Sequence, residues 1–238
     1  MIPRDRPLRI VGDVHGDAHA FAFAADTDRF VVQLGDLTDG GPDSAAVLRL
    51  AFRLLDEGRG LFLLGNHDRK LGRSLAGYAV RMDRALQDTL AQLDDPLRAR
   101  TLAEIERAPA WIADGARFFV HGSFDPRMLH EPPPPPLSGV TPLLSRALFG
   151  QTTGRTQPDG FPERVLRWVD RIPPGMTAYV GHDRRSTDGR PLVKPGALGG
   201  TAVFVDTGAG KGGHLSWIDL PAAEEGRAGA LPLDPAKG

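Results

Sequence analysis

The stretch L-R-I-V-G-D-V-H-G-D, residues 8–17, decides the fold. Leu8, Ile10 and Val11 form a short apolar run rich in β-branched side chains, which reads as a strand buried in a sheet. Gly12 ends the run, Asp13 and His15 follow on the turn, and Gly16 permits a backbone conformation closed to other residues. A carboxylate and an imidazole one residue apart, just past a strand's C-terminal end, sit where α/β sheets place their ligand chemistry. Alone, such a pair reads more readily as two polar turn residues. What gives it weight is that the same grammar recurs down the chain.

Residues 29–34 form a second apolar run, followed by Gly35-Asp36 and then Asp39. The run 61–64 precedes Gly65-Asn66-His67-Asp68, the run 117–120 precedes His121-Gly122, and the run 176–180 precedes Gly181-His182. Residues 201–205, ending at Asp206, and 215–220 complete the expected strands. Between them, 17–25 reads as a short helix. A second helix starts at Asp43 or Ser44 and runs through Val47, Leu48, Ala51, Leu54 and Leu55 at helical spacing. Residues 69–108 read as helices broken near Gly77 and at Asp94-Asp95-Pro96, and 143–149 and 162–169 as two short ones around a glycine-rich loop. The run 132–136, all proline, is expected as polyproline II in a stiff surface loop. Strands alternating with helices make the chain α/β.

The 238 residues suffice for a full core, expected as one domain over 1–220 with a disordered tail at 221–238. A formal net charge of −1 argues against a broad basic surface for nucleic acid. The lack of cysteine excludes disulfides, thiolate metal sites and a cysteine nucleophile. No apolar segment reaches membrane-spanning length, so a cytoplasmic enzyme without a membrane partner is the expectation. Nothing in the sequence calls for an obligate protein partner.

Five strand ends thus carry Asp13/His15, Asp36/Asp39, Asn66/His67, His121 and His182. Each has a plain alternative as a turn, a helix cap or a core histidine. Five such coincidences at consecutive strand ends are hard to ascribe to turn chemistry. Carboxylate, imidazole and amide donors, with an aspartate able to bridge, suit two borderline divalent metals roughly 3.5–4 Å apart acting on phosphorus.

These residues carry a resemblance. G-D-V-H-G (12–16), G-D-L-T-D-G-G (35–41), G-N-H-D (65–68), H-G (121–122) and G-H (181–182) resemble, in order and spacing, the metallophosphoesterase signature in its phosphoprotein-phosphatase-like form. Residues 65–77, 147–156, 159–164 and 205–215 resemble the phosphatase domain of bacterial polynucleotide kinase–phosphatase more closely. The resemblance implies a four-layer αββα sandwich of two mixed β-sheets flanked by helices. It implies two divalent metal ions, manganese first with iron, zinc, cobalt or nickel as alternatives. One would sit on Asp13, His15 and Asp36, the other on Asp36, Asn66, His121 and His182, and a hydroxide bridging them would attack phosphorus. His67 would protonate the leaving group, oriented by Asp39, and Asp206 would either partner a ligand histidine or hold a turn. The implied activity is hydrolysis of phosphomonoesters such as phosphoserine or phosphothreonine in proteins. The rivals are symmetrical dinucleoside tetraphosphate hydrolysis, nucleic-acid-end phosphatase or cyclic phosphodiesterase activity, and, outside catalysis, a weakly active phosphate-binding module.

One departure stands out. The arginine that follows the second aspartate of the second motif, and clamps phosphate, is replaced here by Gly40. Arg155, Arg69, Arg73, Arg184 and Arg185 are candidates to supply that guanidinium, with Arg155 first because it lies in the glycine-rich loop. Asp183 also stands where relatives commonly carry threonine.

Overall fold

Every apolar run becomes a strand, and alternation of side chains along those strands builds two cores. The computed structural model describes residues 2–157, 162–186 and 188–222. In the first sheet β1 (Leu8–Val11), β2 (Phe30–Gln33) and β3 (Gly60–Phe62) run parallel, with β11 (Trp217–Leu220) antiparallel beside β1, in the order β11-β1-β2-β3. The second sheet has the order β4-β5-β8-β10-β9. Its β5 (Arg117–Val120), β8 (Thr177–Val180) and β10 (Thr201–Phe204) are parallel, and β4 (Trp111–Asp114) and β9 (Leu192–Pro195) are antiparallel edges.

Successive residues of a strand face opposite sides. Ile10, Val32 and Leu34 therefore meet Phe119, Tyr179, Val203 and Val205 between the sheets, where the Phe119 and Tyr179 rings stack at 5.4 Å. Their neighbours Val11, Val31, Phe118, Val120, Ala178 and Phe204 face outward into the helices. Strands buried on both faces in this way demand a helical layer on each side, and the αββα sandwich follows.

Among the described residues six helices supply those layers: α1 (Ala18–Ala25), α2 (Ser44–Asp56), α3 (Asn66–Leu75), α4 (Arg84–Gln92), α5 (Asp95–Ile105) and α6 (Pro142–Phe149). Asp17, Asp43, Asp83 and Asp94 cap four of them by accepting a backbone N–H of the first turn. No helix among the described residues is long and apolar enough to cross a membrane.

Two expectations are corrected. Residues 162–169 are not a helix: β7 (Pro162–Arg164) pairs antiparallel with β6 (Thr152–Thr156), and Val169–Arg171 makes one 3-10 turn. The β-branched threonines of β6 offer a pairing edge, and the Thr153 hydroxyl donates to Glu163 across it at 2.6 Å. Helix α3 also begins at Asn66 rather than Arg69, which places Asn66 and His67 in a helical first turn. Of the tail expected to be disordered, residues 223–238 lie outside the described residues.

Candidate metal centre

The six parallel strands of the two sheets all end at one edge of the sandwich. Asp13 and His15 follow β1, Asp36 and Asp39 follow β2, and Asn66 and His67 follow β3. His121, His182 and Asp206 follow β5, β8 and β10 in the other sheet. Backbone contacts join the halves: the His182 N–H donates to Asp13 Oδ1 at 2.9 Å, and His121 Nδ1 donates to the Leu34 carbonyl at 2.9 Å.

The glycines between strand and ligand answer a demand for space more than for conformation. A Cβ on Gly65 would stand 2.2 Å from the Asp36 amide nitrogen, and one on Gly181 would stand 2.3 Å from Asp13 Oδ1. The strain falls on the functional side chains themselves. Among the described residues, the non-glycine positions in the left-handed region are His15 (φ 48°), Asp36 (φ 59°), Asp39 (φ 70°) and His182 (φ 57°), every one a candidate site residue. Such strain persists only where surrounding structure over-determines it, and it gathers at functional sites.

Asp36 lies at the middle. Its Oδ2 is 3.6 Å from His15 Nε2 on one side and 3.4 Å from His121 Nε2 on the other. Asp13 Oδ2 is 3.7 Å from His15 Nε2, and the Asn66 amide oxygen is 3.1 Å from His121 Nε2. Donor atoms of Asp36, His121 and His182 cluster closely enough to share an ion, as do those of His15, Asp36 and His67. His15 Nδ1 faces the carbonyls of Thr38 and Asp39 at 3.1 and 3.0 Å, so it carries the proton and Nε2 is free to ligate.

The electrostatics fit cations at this place. Asp13, Asp36, Asp68 and Asp206 are all buried. Burial, with Asp206 close by, holds the Asp13 carboxyl well above its usual range, and burial raises Asp206 as well. Burial also pulls His15 down to about 4 and, helped by His121, holds His182 well below its usual value, so both imidazoles present unprotonated nitrogens. His121 is the exception: burial opposes its charge, but Asp36 and Asp13 outweigh that and push it up to about 10. Two divalent cations would relieve the carboxylate repulsion and take the neutral imidazole lone pairs, which is the donor chemistry such ions need.

His67 stands apart from this cluster in its bonding. Its Nδ1 donates to Asp39 Oδ2 at 2.7 Å, and its side chain is 22% exposed. Asp39 is fully engaged: Lys70 Nζ approaches the same oxygen at 2.9 Å and the Thr89 hydroxyl donates to Oδ1 at 2.8 Å. Neither Lys70 nor Thr89 was legible in the sequence. Lys70 lies three residues after His67, on the same helical face, but only once α3 is known to start at Asn66. Asp68 is structural glue: its Oδ2 accepts from the Asp36 and Gly65 amides at 2.7 and 3.0 Å, and its Oδ1 from Leu37 at 3.0 Å. Asp206 takes the Gly208 N–H at 2.9 Å and lends its charge to the environment of Asp13.

The arginine candidates are dispersed. Arg155 lies on the exposed strand β6. Arg69 donates to the carbonyls of Pro136 and Ser138 and Arg73 to that of Leu137, so both strap the proline-rich loop to α3. Arg184 lies against Gly208, and Arg185 pairs with Asp183 at 2.7 Å. The guanidinium that reaches the centre is Arg164, on the strand paired with β6: its Nη2 donates to His182 Nε2 at 2.9 Å, and its Nη1 donates to the Phe149 carbonyl. Beside Gly40 opens a cleft of about 240 Å3, lined in part by Gly41, Arg84, Thr89 and Gln92.

The chain is similar to known proteins along most of its length. The family description calcineurin-like phosphoesterase matches residues 7–168, more than half of the chain. A bis(5'-nucleosyl)-tetraphosphatase PrpE (asymmetrical) of Anoxybacillus flavithermus is 27% identical over 90% of this chain and 91% of its own. The protein of that name from Bacillus subtilis is 26% identical over 88% of this chain and 83% of its own. Among solved structures, a serine/threonine phosphatase of Saccharomyces cerevisiae with similarity to human PP5 superposes with a TM-score of 0.60 at 14% identity. It covers 93% of this chain and 82% of its own, a likeness of fold.

Proposed function

The chain belongs to the calcineurin-like phosphoesterases, metal-dependent phosphoester hydrolases, and on that premise we propose that it cleaves the polyphosphate bridge of dinucleoside tetraphosphates. The observation that carries this reading is the kinship with bis(5'-nucleosyl)-tetraphosphatases along nine-tenths of both chains. The cleft lined by Gly40, Gly41 and Thr89 supports it, because Thr89 bonds Asp39 and the cleft thus offers a nucleoside room next to the centre. In this reading Asp13, His15 and Asp36 hold one divalent ion, and Asp36, Asn66, His121 and His182 the other, with manganese the expected metal.

When bound, the two ions would supply Lewis acidity that makes a water nucleophilic near neutral pH and neutralises phosphate charge. The protein groups do the rest. Asp39 accepts the His67 Nδ1–H and balances the charge of the imidazolium form, whose Nε2–H donates to the departing oxygen. Arg164 offers a planar fork to peripheral phosphoryl oxygens, where charge grows as the nucleophile attacks.

One observation favours a second reading, hydrolysis of phosphoserine or phosphothreonine. A nucleotide leaves as a weak base, whereas a serine alkoxide needs a proton, and the Asp39–His67 pair is arranged to give one. The two readings separate with purified, Mn2+-supplemented protein. Diadenosine tetraphosphate is assayed beside a phosphoserine peptide, with products resolved by chromatography. A higher kcat/KM on the dinucleotide, with ATP and AMP as products, supports the proposal; two ADP would revise the cleavage position. A higher kcat/KM on the peptide overturns it.

A further inference from the structure

The loop between β10 and β11 delivers a lysine to the centre. Lys211 Nζ lies 2.8 Å from His15 Nε2, the ring nitrogen that the carbonyl contacts of Nδ1 leave free. The lysine's position is built by backbone. Gly208, Gly210 and Gly212 all adopt positive φ, the Lys211 and Gly213 amides both donate to the Gly208 carbonyl, and His214 N donates back to Thr207. The loop also packs directly on the site. A Cβ on Gly210 would stand 2.3 Å from the His15 carbonyl oxygen, and one on Gly40 would stand 3.3 Å from the Gly210 carbonyl oxygen. Thus the position where an arginine was expected is a glycine at φ 113°, and the carbonyl of the residue before Lys211 lies against it.

An ammonium group has three N–H donors and no acceptor capacity. Among the described residues, the hydrogen-bond partner of Lys211 Nζ is His15 Nε2. Once that nitrogen is engaged by a cation, the ammonium must turn to other acceptors at the mouth of the site. The acceptors there are the Asp206 carboxylate, whose charge interacts with Lys211, and the phosphoryl oxygens that a substrate brings.

We propose that Lys211 is a substrate-binding residue that grips non-bridging phosphoryl oxygens beside the Asp13–His15–Asp36 group, from the loop seated against Gly40. The proposal rests on the reading that those three residues hold a divalent cation, but not on which phosphoester is cleaved. Its probe is therefore inorganic phosphate, common to every candidate substrate.

The full chain, wild type and K211M, is loaded with Mn2+. Bound manganese is counted by elemental analysis, and phosphate affinity is measured by calorimetry. K211M should hold the same manganese and bind phosphate roughly ten- to a hundredfold more weakly, the loss expected for one charge-assisted hydrogen bond. K211R should recover most of the affinity. Unchanged phosphate affinity in K211M overturns the proposal. So does tighter manganese binding with unchanged phosphate affinity, which would make Lys211 a competitor for His15. A wild-type chain that takes up no manganese overturns the metal reading and this proposal with it. Failure to cleave diadenosine tetraphosphate leaves the phosphate measurement, and the proposal, intact.

Discussion

The backbone N–H of His67 donates to Asp36 Oδ1 at 2.8 Å. The carboxylate whose Oδ2 faces both His15 and His121 thus uses its other oxygen to anchor the first turn of α3, where the helix dipole favours negative charge. Asp36→Asn keeps an acceptor for the amide but removes the charge shared by two cations. Bound metal and turnover on p-nitrophenyl phosphate should fall together, turnover by roughly 10²-fold or more. Wild-type turnover in Asp36→Asn would end the two-ion reading.

His67→Ala should expose the leaving group's basicity. A p-nitrophenolate departs with little protonation, while a serine alkoxide does not. The loss should be small on p-nitrophenyl phosphate and on the order of 10²–10⁴-fold on a phosphoserine peptide. Equal losses would leave His67 a structural role.

Asp39 ties acid chemistry to stability. Burial alone would raise its pKa, but hydrogen bonds from His67, Lys70 and Thr89 hold it below the usual carboxylate range. A depressed folded-state pKa contributes stability above the unfolded value, about 3.9, and that contribution is lost as pH falls through the folded value. Asp39→Asn should therefore be less stable than wild type in urea denaturation at neutral pH. The difference should narrow as pH drops below about 4. A gap that stays constant from neutral to acid pH would show that the carboxylate's charge is not what stabilises the fold here.

The ends of the central strands were legible because they combine two strong signals, an apolar β-branched run and a glycine before a polar donor. What the sequence does not show is why those glycines are needed: the Asp36 backbone and carboxylate press on Gly65, and the Asp13 carboxylate and His121 ring press on Gly181. Gly181→Ala puts a methyl 2.3 Å from Asp13 Oδ1. It should cost about 1–3 kcal/mol, as overpacking does, and lower metal occupancy, both readable by thermal melting with and without added Mn2+. The edge strands β4 and β9 escaped notice because they are only partly buried. Lys70, Thr89, Arg164 and Lys211 escaped for another reason. Lys70, Arg164 and Lys211 lie within the stretches 65–77, 159–164 and 205–215 that carry the resemblance, but which side chain reaches the centre depends on a helix register and two loop closures, and the place of Thr89 on a helix crossing.

Arg155 and Arg164 are nine residues apart on paired strands, and only the second touches the centre. The expected arginine was Arg155 of the glycine-rich loop, whereas the guanidinium that meets His182 is Arg164, on the strand that pairs with β6. Arg164 is also partly desolvated, and burial lowers its pKa. A guanidinium relieved of water in this way gains more from a phosphoryl oxygen than an exposed one does. Arg164→Ala should lower kcat/KM roughly ten- to a hundredfold for every phosphoester tested while bound metal stays constant. Because Arg164 also holds the Phe149 carbonyl, truncation alone could loosen the hairpin. Arg164→Lys separates the two effects: it keeps a charge beside His182 but loses the bidentate fork, and should recover only part of the loss. Arg155→Ala should behave as wild type. The opposite ranking, with Arg155→Ala impaired and Arg164→Ala intact, would move the phosphate contact to β6 and require the hairpin to fold over the centre when substrate binds.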